Sequence, residues 1–100
     1  MSVRASLAGN GQELVIQVDG RVDFSAHQEF RDAYESASQV RKYIVDLGGA
    51  TYLDSSALGM LLLLRDHAGG DHSEISITNC NDDVRKILAI SNFEQLFTIQ

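Results

Sequence analysis

Between residues 43 and 68 a short apolar run, two glycines, an Asp-Ser-Ser triplet and a leucine-rich run follow one another. This succession constrains the fold more than anything else in the chain. Residues 43–47 are apolar apart from Asp46 and carry β-formers, which predicts a buried strand. Residues 57–64 hold strong helix formers and no proline, and the helix they predict runs to about Ala68. Gly48 and Gly49 form a loop between the two, followed by Asp54, Ser55 and Ser56. A carboxylate and two hydroxyls are thus placed at a helix N-terminus, where backbone N–H groups lack partners and the helix dipole is positive.

The triplet admits two readings. Asp and Ser are common helix caps, each contributing about 1 kcal/mol, and a cap needs no further function. The other reading is a hydroxyl presented for phosphorylation, because a helix N-terminus also stabilises a phosphate. Helical spacing separates the two serines. Ser56 aligns with Met60, Leu63 and Leu64, an apolar stripe expected to face inward, which makes it a buried cap. Ser55 aligns with Gly59, Leu62 and Asp66, so it is expected to be exposed. Ser55 is the first candidate for modification and Ser56 the second. The leucines that follow wrap nearly all round the helix, a pattern of deep burial or of cover by a partner. Leu58 and Leu62, one and two turns along the exposed side, are candidates for a partner-facing patch. Gly59 inside a helix costs about 1 kcal/mol relative to Ala. A close approach by a partner or by a neighbouring element is the expected reason.

The rest of the chain supplies a frame for this unit. Residues 3–8 predict an edge strand, and Gly9-Asn10-Gly11 a turn into a second strand over residues 13–18. Residues 19–23 are expected to break that strand. Residues 25–37 form an amphipathic helix with Ala26, Phe30, Ala33, Tyr34 and Ala37 on one face. Asp23 or Ser25 is its cap, with Gln28 or Glu29 placed for a capping box. Gly69 and Gly70 end the second helix. Residues 74–78 alternate as a strand, and Asn81 caps a third helix over residues 81–90. Its buried face is expected to hold Val84, Ile87, Leu88 and Ile90. Residues 92–96 suggest a last short turn and residues 97–99 a final strand. A hairpin followed by βαβ units predicts an α/β domain over residues 1–100, a mixed sheet of four to five strands with three to four helices packed on it.

Residues 46–59, from Asp46-Leu47 through Asp54-Ser55-Ser56-Ala57-Leu58-Gly59, resemble the signature of the STAS family, the anti-sigma factor antagonists. In that signature a strand ending in Asp-Leu or Asn-Leu leads through a short loop to Asp-Ser-Ser-Gly-Leu-Gly at a helix start. Ala57 stands where the family most often has Gly, and still fits a tight helix start. Residues 20–23 are similar to the family's Gly-x-Leu-Asp turn. The resemblance implies that a partner kinase phosphorylates Ser55, the serine directly after Asp54. It implies a partner-binding surface of Asp23, Phe24 and Tyr52 together with the Asp54–Ser56 motif and Leu58, Gly59 and Leu62. It also implies the partners, an anti-sigma factor that is a serine kinase and a PP2C-type phosphatase that resets the switch. Asp23 has an alternative reading as a helix cap alone.

Composition narrows the other classes. The formal net charge of −6 argues against a nucleic-acid binder and against docking on an anionic membrane. Cys80 is the only cysteine, so no internal disulfide forms and a reducing, cytoplasmic setting fits. It reads as a small core filler. The N-terminal residues carry no signal-peptide pattern, and the apolar run of residues 57–64 is far short of the about 20 residues of a membrane span. His27, His67 and His72 have no metal spacing, and no Gly-x-Ser-x-Gly elbow, phosphate-binding loop or dinucleotide fingerprint is present. The sequence therefore predicts neither an enzyme nor a cofactor. A second reading keeps the fold without the switch, as a subunit or scaffold of a lipid-transport or stress-signalling complex. A small hydrolase using Ser55 is a third.

Overall fold

The computed structural model describes residues 2–37 and 40–100; Met1, Ser38 and Gln39 of the expected domain lie outside them. The described residues form six strands and three α-helices. β1 (Ser2–Ala8) turns through Gly9–Gly11, with Asn10 at φ 60°, and pairs antiparallel with β2 (Glu13–Val22). β3 (Lys42–Asp46) runs parallel to β2, β5 (Ile75–Thr78) parallel to β3, and β6 (Thr98–Ile99) parallel to β5. The order β1-β2-β3-β5-β6 makes a mixed sheet, as the element pattern predicts. α1 (His27–Glu35), α2 (Ser55–Ala68) and α3 (Asp82–Ile90) cover it. Strand alternation decides which face they cover. β2 buries Leu14, Ile16 and Val18 and leaves Val15 and Gln17 half-exposed on the other side.

The second strand does not break at Asp19. It continues to Val22, because Gly20 adopts φ 83° and the ladder shifts register between Gly20 and Arg21. A glycine at positive φ lets the strand bend rather than stop. The bent end pairs with a strand that the sequence reading took for loop, β4 (Ala50–Leu53). β3 pairs with β2 as far as Gln17; β4 then takes up Gly20, Arg21 and Val22. The Gly48-Gly49 step makes this transfer, and the Gly20 N–H donates to the Gly49 carbonyl at 2.8 Å. Asn81 ties the far side. Its side chain caps α3 at the Val84 N–H (2.8 Å) and donates to the Ala50 carbonyl (3.1 Å).

Gly49 lies directly over Asp19, and a Cβ there would collide with the Asp19 carboxylate. That carboxylate accepts from the Ser2 hydroxyl at 3.1 Å and from Arg4 at 3.4 Å. Gly49→Ala is therefore expected to cost about 1–3 kcal/mol by overpacking. Urea unfolding measures this, and a loss under about 0.5 kcal/mol would show that the step tolerates a side chain.

Two faces differ from the sequence reading. The inward face of α2 is Ala57, Met60, Leu61 and Leu64, while Leu63 is 49% exposed. Met60 and Leu64 face inward as the spacing predicts, but Leu61 rather than Leu63 joins them, because four consecutive leucines give no phase information. On α3, Val84 and Leu88 are buried and Ile87 is half-buried, but Ile90 is 83% exposed. At 3.6 residues per turn, a position six residues after Val84 points away from the core. The first helix begins later than expected, after a single 3₁₀ turn over Phe24–Ala26. Cys80 is half-buried against the core.

Candidate functional site

The parallel ends of β2 and β4 build the site. Val22 pairs with Leu53, and the Asp54 N–H donates to the Val22 carbonyl at 3.3 Å. Asp23 and Asp54 therefore leave the sheet side by side. Each takes extended φ/ψ and caps the turn that follows. Asp54 Oδ1 accepts from the Ala57 N–H at 2.9 Å and from the Ser56 hydroxyl at 2.6 Å. Asp23 Oδ1 accepts from the Ser25 N–H at 2.9 Å and from the Ser25 hydroxyl at 2.5 Å. The two Asp-x-Ser turns are thus local twins on adjacent strands. The matched spacing of Asp23 with Ser25 and of Asp54 with Ser56 was a signal for this that the sequence reading did not use.

These bonds set the charge of the corner. The Ser56 hydroxyl and then the Ala57 N–H hold the Asp54 carboxyl below its ordinary range. The Ser25 hydroxyl and amide do the same for Asp23, against an opposing push from the Asp54 charge. Two ionised carboxylates consequently stand together at neutral pH. The cap of α2 is Asp54, not Ser56. Ser56 is half-buried, with its hydroxyl committed to Asp54. No capping box forms ahead of α1, because the Gln28 amide donates instead to Asp32 at 2.7 Å.

Ser55 is exposed in the first turn of α2, and its outward row continues through Gly59, Leu62 (43% exposed) and Asp66. Phe24 is 69% exposed, its ring stacked 5.3 Å from His27. Tyr52 is exposed on β4, opposite Arg21 in the ladder, whose guanidinium lies 4.5 Å from the ring centre. Leu58 is half-buried and packs on the core, so it contributes an edge rather than a free side chain. The structure thus gathers Asp23, Phe24, Tyr52, Asp54 and Ser55 at the strand ends, with Leu58, Gly59 and Leu62 leading away along α2. Phe24, Tyr52 and Leu62 are large hydrophobic side chains exposed around these polar groups. Arg21 is the residue that sequence reasoning missed.

Gly59 has no heavy atom within 4 Å of the position a Cβ would take. Among the described residues no neighbouring element requires the glycine. Gly59→Ala is expected to stabilise the isolated domain by about 0.5–1 kcal/mol, read by urea unfolding. A destabilised variant would contradict the open space.

Other chemistry is sparse. His67 lies in the last turn of α2, with its ring 4.8 Å from Tyr34. Among the described residues no group of His, Cys, Asp and Glu side chains is placed to hold a metal ion, and no hydrogen bond links Ser55 to a histidine. No helix among them is long and apolar enough to cross a membrane.

Comparison with known proteins places this geometry. The family model described as Mlab, STAS domain, matches residues 5–98. A STAS-domain containing protein of Pseudomonas aeruginosa (strain UCBPP-PA14) is 67% identical over 100 residues, 99% of each chain. The anti-sigma factor antagonist SpoIIAA in its unphosphorylated form superposes with a TM-score of 0.83 at 19% identity, over 99% of this chain and 88% of that one. An anti-sigma factor antagonist from Mycobacterium paratuberculosis gives 0.77 at 15% identity, over 98% and 85%. At those identities the structural likeness establishes the fold.

Proposed function

The chain belongs to the STAS domain family, and from that premise we propose that it is a non-catalytic binding switch, an anti-sigma factor antagonist controlled at Ser55. The observation that carries the reading is the exposed Ser55 hydroxyl at the head of α2, beside the ionised pair Asp23 and Asp54 and within a rim of Phe24, Tyr52 and Leu62. Unphosphorylated, the protein binds an anti-sigma factor of the serine-kinase type and so frees a sigma factor for transcription. The kinase transfers phosphate from ATP to Ser55, and the complex parts. A PP2C-type phosphatase restores the binding form. All of this takes place among cytoplasmic proteins.

The physical step is electrostatic. A phosphoserine adds about −1.5 to −2 charges and three acceptor oxygens. The Ala57 N–H of the helix start is already bonded to Asp54, so the phosphate is held at the outer edge of the turn. Its charge adds to two carboxylates already there. The fold has no reason to change, because Ser55 makes no core contact; affinity falls through repulsion and lost fit. A domain-wide change in chemical shifts or in circular dichroism on phosphorylation would contradict this.

The alternative, a STAS-type subunit or scaffold of a lipid-transport or stress-signalling complex, keeps the same fold and dispenses with the phosphate. Affinity purification of the tagged chain from its native cells, with the co-purifying proteins identified by mass spectrometry, separates the two. The switch predicts a soluble protein with an ATP-binding serine-kinase domain, lost when ATP is supplied. A transporter ATPase retained with or without ATP would overturn it.

A further inference from the structure

We propose that Arg21 is the phosphate-binding residue of this switch: it leaves the Tyr52 ring for the phosphoryl group on Ser55, and in leaving bares the ring. The inference rests on the reading of Ser55 as the modified residue, and it adds a second consequence of modification besides charge.

Arg4, Arg31 and Arg65 each pair with a carboxylate, Asp19 at 3.4 Å, Glu35 at 2.8 Å and Asp71 at 2.7 Å. Arg21, like Arg41, Lys42, Arg85 and Lys86, makes no ion pair among the described residues; what sets it apart is its place, with its guanidinium over the Tyr52 ring and its charge felt at Asp54 and Asp23. Two carboxylates stand close by and still do not claim it. Asp23 and Asp54 are each turned onto their own Ser hydroxyl and backbone N–H. Their helix caps hold them in place, which leaves Arg21 on the weaker of the partnerships open to it. A cation over an exposed ring is held loosely. A phosphoserine offers what the capped carboxylates do not, a dianion with free oxygens, and the planar guanidinium fork matches phosphate geometry in a bidentate contact.

The ladder register sets Arg21 near the start of α2. Arg21 and Tyr52 are ladder partners. Ser55 lies three positions beyond Tyr52, no more than about 10 Å along the chain. A long side chain reaching from one side and a phosphoryl group from the other span that gap. The Arg21 charge is already felt at this corner, where it favours the ionised forms of both Asp54 and Asp23. Arg21 is itself exposed, so its rotation displaces nothing packed.

The test uses the whole chain with phosphoserine installed at position 55 by peptide ligation, so that no kinase is needed. Three versions are compared, with Arg21, with Arg21→Ala and with Arg21→Lys. Phosphorus NMR follows the second ionisation of the phosphate, and proton NMR follows the Tyr52 ring. The proposal expects the second phosphate pKa to rise by about 0.5 or more in Arg21→Ala, because the opposite charge that favours the dianion is gone. Arg21→Lys, which keeps the charge, restores most of the difference. Phosphorylation of the Arg21 protein is expected to move the Tyr52 ring signals toward those of unmodified Arg21→Ala. Identical phosphate titrations in the Arg21 and Ala versions, or a Tyr52 ring that ignores the phosphate, would overturn the proposal. Absence of phosphate at Ser55 in cells would instead refute the switch itself, a result that this measurement on ligated protein does not depend on.

Discussion

Ser55→Asp is expected to weaken binding to the anti-sigma partner at least tenfold, and phosphoserine at the same position about 100-fold. The difference follows from charge. Aspartate adds one negative charge to the corner, and phosphate adds up to two. Both land beside Asp23 and Asp54, which hydrogen bonds from Ser25 and from Ser56 and Ala57 already hold in the ionised form. A partner surface that accepts two carboxylates there must accommodate a third anion, and like charges at an interface cost several kcal/mol. Ser55→Ala removes only an exposed hydroxyl and is expected to bind within about threefold of the natural chain while escaping release by ATP. Titration calorimetry of the three proteins against the partner reads all of this. The variants should unfold at the same temperature, because Ser55 is exposed and Asp54, not Ser55, caps the helix. Tight binding by Ser55→Asp would remove the electrostatic mechanism.

Leu64→Ala is expected to have the largest effect on stability. Leu64 is fully buried on the inward face of α2, the helix that presents Ser55. Truncation loses the transfer energy of the side chain and leaves a cavity, about 3–5 kcal/mol in a core that cannot collapse. A domain of this size has roughly 5–15 kcal/mol in all. The melting temperature should fall by roughly 12 °C or more. Leu63→Ala, one residue earlier, is the control. Leu63 is 49% exposed, and its loss should cost about 0.5–1 kcal/mol. Equal costs at the two positions would show that the inward face of α2 is not the one described.

The contrast between Leu63 and Leu64 also shows what the sequence could and could not convey. The helix itself was legible, since its start signal Asp54 and its C-terminal Gly69, at φ 117°, bracket a run of helix formers. Its rotation was not, because a run of leucines has no polar side to fix the phase. The long alternation of β2 made that strand plain, and the turn at Asn10 made its partner plain. β4 was hidden for a different reason. It has four residues, and its ladder is made with Gly20–Val22, some thirty positions away, so nothing local marks it as a strand. Its absence from the reading had a consequence for the site. Without β4 there is no register between Val22 and Leu53, and only the family resemblance, not the residue pattern, sets Asp23 near Asp54. The Asp54-Ser55 motif was therefore legible as a helix start, whereas the paired corner, with Arg21 over Tyr52, came only from the non-local pairing. The exposure of Ser55 followed from spacing because Gly59 and Asp66 break the apolar pattern on that side.

Phosphopeptide mass spectrometry of the chain purified from its native cells, over peptides spanning Tyr52 to Arg65, tests the central claim most directly. The account predicts phosphate on Ser55, with Ser56 unmodified because its hydroxyl is bonded to Asp54 and half-buried. Phosphate on Ser56 would keep a switch at this corner and contradict the assignment of the exposed hydroxyl. Unmodified peptide across growth states would contradict the switch and leave a STAS domain that binds its partner without one.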